Sequence, residues 1–168
     1  MKTSDIYDVF DSGGVLNSLF PGYEYREAQL MMSELVREAF EDNAVAVAEA
    51  GTGIGKSFAY LVPAILNLED EPEDRVVIAT ATINLQRQLI EKDIPALLSA
   101  MGLQKSVVLV VGMSNYLCLN RLAEQISLAP LLALDPTTEI GRMKAWAQVT
   151  DTGLRSDFPG RVDAELWS

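Results

Sequence analysis

Along the first part of the chain, segments whose apolar residues are spaced as in a helix alternate with short continuous apolar runs. In residues 26–42 apolar side chains recur every three or four positions, which predicts an amphipathic helix. Three short apolar runs rich in β-branched residues lack polar alternation and predict buried strands, at residues 44–49, 75–80 and 107–111. Because helical segments separate these runs, the pattern predicts an α/β fold built on a parallel sheet.

Further helices and several breaks complete the predicted organisation. Glycine and proline breaks in residues 1–22 predict a loose N-terminal arm. Residues 23–112 are expected to form the α/β lobe, and residues 113–168 a mainly helical part with a loop-like end. An acidic, proline-broken stretch at residues 69–74 is predicted to be a solvated connection. The other predicted helices are at residues 56–67, 83–91, 93–101, 116–126 and 139–149.

The composition is that of a globular protein with an acidic surface. The chain has 168 residues, 49% of them hydrophobic, which is enough to bury a core. Its formal net charge of −11 comes from 13 basic and 24 acidic side chains, and it argues against a broadly basic surface for a polyanion. Any contact with nucleic acid is therefore expected to be local.

The absence of histidine and the single cysteine exclude several kinds of catalytic and metal site. The sequence has no histidine, which excludes imidazole bases and histidine-ligated zinc. It has one cysteine, so no disulfide can form within it. The apolar runs are too short for a membrane span, and the N-terminus carries acids where a signal peptide carries bases. We therefore expect a cytoplasmic protein.

The candidate chemistry lies in a glycine-dense turn between the first predicted strand and the helix at residues 56–67. Such a turn lets backbone N–H groups point inward, and the helix presents its positive end to the same point. Lys56 would reach the β- and γ-phosphates of a nucleotide and Ser57 would ligate Mg²⁺, which makes them the candidate catalytic pair. A glycine-rich turn with an incidental lysine is the alternative. The candidate nucleotide-binding residues are Ala50, Gly51, Thr52, Gly53, Ile54, Gly55, Lys56 and Ser57.

Two polar residues upstream are candidates for the nucleotide base. Arg26 and Gln29 lie on the opening turn of the first long predicted helix. A glutamine amide offers a donor and an acceptor together, which matches the N6 and N7 edge of adenine. The alternative is that both are solvated residues at the start of a helix.

Hydroxyl and amide side chains follow the second predicted strand. Thr80, Thr82 and Gln86 lie where loops of a parallel sheet present ligand contacts, and uncharged donors there suit the phosphates of a single DNA strand. The alternative is that Thr80 or Thr82 only caps the next helix and that Gln86 is a surface residue.

Four segments within residues 21–122 together resemble the N-terminal part of a DinG/YoaA-type DNA helicase, related to the XPD group of helicase superfamily two. They stand in the family's order and at similar spacing. The segments are Tyr25-Arg26-Glu27-x-Gln29, Glu49-Ala50-Gly51-Thr52-Gly53-x-Gly55-Lys56-Ser57, Thr80-x-Thr82 with Leu85-Gln86-x-Gln88-Leu89, and Ser114-Asn115-Tyr116-Leu117-Cys118-Leu119-x-Arg121-Leu122.

The resemblance implies a partial RecA-like ATP-binding lobe that uses ATP and Mg²⁺. It implies that Arg26 and Gln29 contact adenine and that the residues after the second strand lie near the DNA path. Cys118 would be the first ligand of a 4Fe-4S cluster, in an insertion that starts near residue 113. The whole protein would move 5′ to 3′ on single-stranded or forked DNA in repair or replication, as a monomer in the bacterial cytosol.

Several departures from the family pattern limit what these residues are expected to do. Met113 stands where the family usually has a basic residue, and one cysteine cannot hold a four-iron cluster. Without histidine there is no Asp-Glu-x-His box, and the Asp70-Glu71 pair lies in a polar loop. We therefore expect a fragment of a helicase, lacking the second RecA-like lobe, that binds ATP without efficient hydrolysis. The alternatives are a complete small P-loop kinase or phosphotransferase and a non-catalytic nucleotide-binding truncation product.

Overall fold

The computed structural model describes residues 5–68 and 74–167 of the chain. They fall into two compact units, unit 1 at Met1–Leu109 and unit 2 at Val110–Ser168. Of the acidic connection predicted at residues 69–74, all but Asp74 lies outside the described residues, and so does the Asp70-Glu71 pair.

Unit 1 consists of helices joined by irregular segments. The two longest are close to their predicted bounds, because each carries several turns of consistent apolar spacing. A π-helical turn at Leu89–Asp93 joins the last two. In chain order the helices are α1 (Ile6–Phe10), α2 (Val15–Leu19), α3 (Glu27–Glu41), α4 (Lys56–Asn67), α5 (Ile83–Gln88) and α6 (Ile94–Met101).

The N-terminal segment supplies much of the core of unit 1. Ile6, Val9, Phe10 and Leu16 are each 1% exposed or less, and they pack with apolar side chains of α4 and α6. The structure thus differs from the loose arm predicted for residues 1–22. Helices of five residues carry little periodicity, so the glycine and proline breaks dominated the sequence signal.

The three predicted strands do not form a sheet among the described residues. Residues 44–51, 74–80 and 103–112 are neither helical nor paired as strands, and Val45, Val47 and Val77 are 92%, 90% and 89% exposed. Within the described ranges the isolated β-bridge joins Tyr116 to Leu154. The predicted parallel sheet is therefore not borne out. An apolar β-branched run indicates strand preference, but a parallel strand also needs neighbours on both sides, which its own sequence cannot supply.

Unit 2 is helical and packs around an aromatic cluster. Its core contains Leu122, Met143, Phe158 and Trp167, and the ring centroids of Phe158 and Trp167 are 6.1 Å apart. The chain end predicted as a loop therefore contributes buried side chains. The helices are α7 (Leu119–Leu128), α8 (Pro130–Leu134), α9 (Glu139–Trp146) and α10 (Ala164–Trp167).

Candidate nucleotide-binding site

The glycine loop leads directly into α4. Gly53 and Gly55 have φ of +85° and +83°, in the left-handed region that favours glycine. The Gly55 carbonyl accepts from the backbone N–H groups of Phe58 (3.1 Å) and Ala59 (3.2 Å), which starts the helix. The loop therefore ends where the first backbone N–H groups of α4 are free to meet an anion.

The Lys56 side chain folds back over this loop. Its Nζ donates to the carbonyl oxygens of Ala50 (2.8 Å) and Gly51 (2.7 Å). Ser57 is half-buried on the first turn of α4. Burial raises the pKa of Tyr60 one turn further on, and a hydrogen bond with the Ser57 side chain partly offsets that rise. The ammonium group thus lies beside the loop backbone, held by two neutral acceptors that a phosphate oxygen could replace.

The start of α3 reaches the same loop. Arg26 donates from a guanidinium nitrogen to the Gly53 carbonyl (2.6 Å), and Gln29 Nε2 donates to the Gly55 carbonyl (2.9 Å). Gln29 is only 2% exposed, so it is not the solvated residue of the alternative interpretation. Packing of α3 against α4 brings together residues that lie 26 and 27 positions apart in sequence.

Tyr23 belongs to this arrangement, although no sequence pattern assigned it a role. Its hydroxyl lies 3.1 Å from the Phe10 carbonyl and 3.1 Å from Gln29 Oε1. Burial raises the pKa of Tyr23, and the charge of Arg26 opposes that rise. The hydroxyl carries one proton and faces two acceptor oxygens, so it shares that proton between the end of α1 and the Gln29 amide.

A cavity of about 240 Å³ opens beside Gln29 and Gly55. Aromatic side chains form part of its wall, with the rings of Phe20 and Phe58 5.2 Å apart between centroids. Tyr23 and Arg26 also line it, as do Leu16, Pro21 and Gly22. Its lining combines apolar side chains with the polar groups of Tyr23, Arg26 and Gln29.

The candidate DNA-contacting residues make local contacts. Thr80 Oγ1 donates to the Thr82 carbonyl (3.2 Å), and Thr82 Oγ1 accepts from the Leu85 N–H (3.3 Å) and so caps α5. Gln86 is half-buried on α5. The capping expected as an alternative is therefore present for Thr82, and a role in DNA binding stays a prediction for all three residues.

Cys118 is exposed immediately before α7. Across the described residues no group of three or more histidine, cysteine, aspartate or glutamate side chains could hold a metal ion. Because a 4Fe-4S cluster takes four thiolate ligands, these residues do not fit the cluster by themselves. In the part of the chain that the structure describes, no helix is both long and apolar enough to cross a membrane.

A family model described as DEAD/DEAH box helicase matches residues 28–136, which is more than half of the chain and includes the glycine loop. The chain belongs to the DEAD/DEAH box helicase family. Membership implies a RecA-like P-loop fold, of which the described residues show the loop and helices but not the sheet.

Individual relatives point the same way. The chain is 35% identical to the ATP-dependent DNA helicase YoaA of Haemophilus influenzae, over 89% of this chain and 23% of that protein. It is 36% identical to the ATP-dependent helicase DinG of Mycobacterium tuberculosis strain H37Ra, over 85% of this chain and 24% of that protein. It is also 34% identical to the 3′-5′ exonuclease DinG of Bacillus subtilis, over 82% of this chain and 15% of that protein. The resemblance to DinG/YoaA-type helicases is thus confirmed, and the chain spans about a quarter or less of these relatives' length.

Proposed function

We propose that this chain is the N-terminal ATP-binding part of an ATP-dependent DNA helicase that moves 5′ to 3′ along single-stranded DNA. The observation that carries the proposal is the pair of hydrogen bonds from Arg26 and Gln29 to the backbone of the glycine loop. These bonds join a candidate base-reading element to a candidate phosphate-binding element within unit 1. We assign residues 23–112 to the ATP-binding lobe and residues 113–168 to the start of an iron–sulfur-type insertion.

The triphosphate would bind where the loop meets α4. The N-terminus of a 12-residue helix favours an anion there. Lys56 would exchange its two carbonyl acceptors for phosphate oxygens, which carry full negative charge and form stronger hydrogen bonds. Ser57 would give Mg²⁺ a hydroxyl ligand, and the metal would neutralise phosphate charge.

The base would occupy the cavity beside Gln29. Its aromatic wall offers apolar contact to a purine ring, and Gln29 and Arg26 supply polar groups at its edge. DNA would be met locally, through the hydroxyls of Thr80 and Thr82 and the amide of Gln86, since the net charge of −11 disfavours a broad polyanion surface. These contacts would act in the cytosol on single-stranded or forked DNA.

A helicase role is favoured over the nuclease named for the Bacillus relative. The matched stretch carries a phosphate-binding loop, and the two relatives named helicases share a larger part of their own length with the chain. Glycine loops of this kind bind nucleotides in many enzyme classes, and the helicase family supports the direction of movement and the DNA substrate.

Substitution of Lys56 tests the nucleotide site. We expect Lys56→Ala to weaken Mg·ATP binding by the 168-residue chain at least about tenfold, because a charge-assisted contact contributes roughly 1.5–3 kcal/mol. Isothermal titration calorimetry would measure it. Lys92→Ala is the matched control, since Lys92 is an exposed lysine in the π-helical turn of the same unit. Equal affinities for the two variants, with both folded, would show that the loop is not the phosphate site.

A further inference from the structure

The Gln29 side chain is held at both ends of its amide. Nε2 donates to the Gly55 carbonyl at 2.9 Å, and Oε1 lies 3.1 Å from the Tyr23 hydroxyl. A backbone carbonyl can only accept, so the nitrogen must face Gly55 and the oxygen must face Tyr23. The contacts on each side therefore fix which way the amide points.

The hydrogen-bonding capacity that remains is specific. A glutamine amide has two N–H donors and an oxygen with two acceptor positions. Gly55 uses one donor and Tyr23 one acceptor position, which leaves one donor and one acceptor for a ligand. Gln29 lines the cavity of about 240 Å³, so a base placed there can meet this remaining pair.

We propose that Tyr23 is a positioning residue: its hydroxyl anchors the Gln29 amide so that the site selects adenine over purines with a 6-oxo group. The inference rests on the proposed function, in which Gln29 contacts the base. Adenine presents an acceptor at N7 and a donor at N6, which complement the free pair, whereas guanine and hypoxanthine present two acceptors. Against an anchored amide, the 6-oxygen meets Oε1 and two acceptors are left unpaired.

The anchor matters because glutamine has three rotatable side-chain bonds. Without the Tyr23 hydroxyl the Gly55 carbonyl alone holds the amide, so turning the side chain to offer an N–H to the 6-oxygen breaks one hydrogen bond instead of two. Adenine then loses a preorganised contact while a 6-oxo purine gains one. The Phe10 carbonyl oxygen also lies 3.1 Å from the hydroxyl, so the single hydroxyl proton is shared between the Phe10 and Gln29 acceptors at the end of α1.

The test compares ATP with ITP, which carries hypoxanthine on the same ribose and triphosphate. We expect Tyr23→Phe to lower the ATP-to-ITP affinity ratio by about three- to tenfold, the scale of one hydrogen bond. A purely structural loss would weaken both nucleotides alike and leave the ratio unchanged. Tyr7→Phe is the matched control, because Tyr7 is a tyrosine of the same unit whose hydroxyl donates to Glu34 and not to Gln29. Thermal unfolding checks that both variants fold.

A double-mutant cycle tests the route of the effect. In a Gln29→Ala background, Tyr23→Phe is expected to leave the ratio unchanged, because the group through which it acts is gone. An unchanged ratio in Tyr23→Phe alone, or an equal fall in both backgrounds, would overturn the inference. Wild-type protein that binds ATP and ITP equally overturns it too but leaves the nucleotide site standing. Binding of neither nucleotide overturns the proposed function as well.

Discussion

Gly53 and Gly55 share a left-handed backbone but differ in their surroundings. Their φ values are +85° and +83°, so an alanine at either position meets a similar backbone cost of about 1–2 kcal/mol. A Cβ at Gly53 would enter open space, whereas a Cβ at Gly55 would overlap Gln29 Nε2. Gly55 is therefore required twice, once for its conformation and once for the close approach of Gln29.

This difference gives a prediction with a built-in control. We expect Gly55→Ala to lower the free energy of unfolding by about 1 kcal/mol more than Gly53→Ala, because it also breaks the Gln29 hydrogen bond. Urea denaturation of both variants measures the difference. Equal destabilisation would mean that the Gln29 contact contributes nothing to the fold.

The sequence predicts site roles for Gln29 and Lys56 but none for Tyr23. The first two stand in short motifs whose residue types already state their chemistry, since an amide can read adenine and a lysine can bind phosphate. Tyr23 acts through a hydroxyl directed at the end of α1 and at Gln29. That contact depends on how α1 packs, and no local pattern encodes it.

At the scale of elements, the sequence predicts the long periodic helices correctly but does not predict whether the strands pair. The prediction for residues 56–67 coincides with α4, and α3 (Glu27–Glu41) lies within the predicted residues 26–42. The two short N-terminal helices and the absence of strand pairing in the described ranges both depend on contacts between distant residues. Strand preference alone cannot establish such contacts.

The helix α2 provides the element-scale prediction. Leu16 is 0% exposed in the core of unit 1, so we expect Leu16→Ala to lower the free energy of unfolding by about 2–5 kcal/mol. Leu131→Ala is the control, because Leu131 is 81% exposed and a change of at most about 0.5 kcal/mol is expected. A negligible effect of Leu16→Ala in urea denaturation would restore the loose arm that the sequence predicts.

For the whole molecule, binding of ATP and turnover of ATP make different demands. Under the proposed function, binding needs the loop, Lys56 and the start of α3, all of which lie in unit 1. Turnover also needs an activated water and transition-state charge stabilisation. The 168 residues contain no histidine and therefore no Asp-Glu-x-His box, and Ser57 is the single protein ligand assigned to Mg²⁺.

We therefore expect the 168-residue chain to bind Mg·ATP while hydrolysing it at a rate that single-stranded DNA does not raise. Phosphate release with and without an oligonucleotide measures this, and Lys56→Ala reports any contaminating ATPase because that variant removes the candidate site. DNA-stimulated turnover that Lys56→Ala abolishes would contradict the prediction. It would require the catalytic acid to come from side chains already present, and carboxylates near the glycine loop would be the next to substitute, beginning with Glu49, which immediately precedes Ala50.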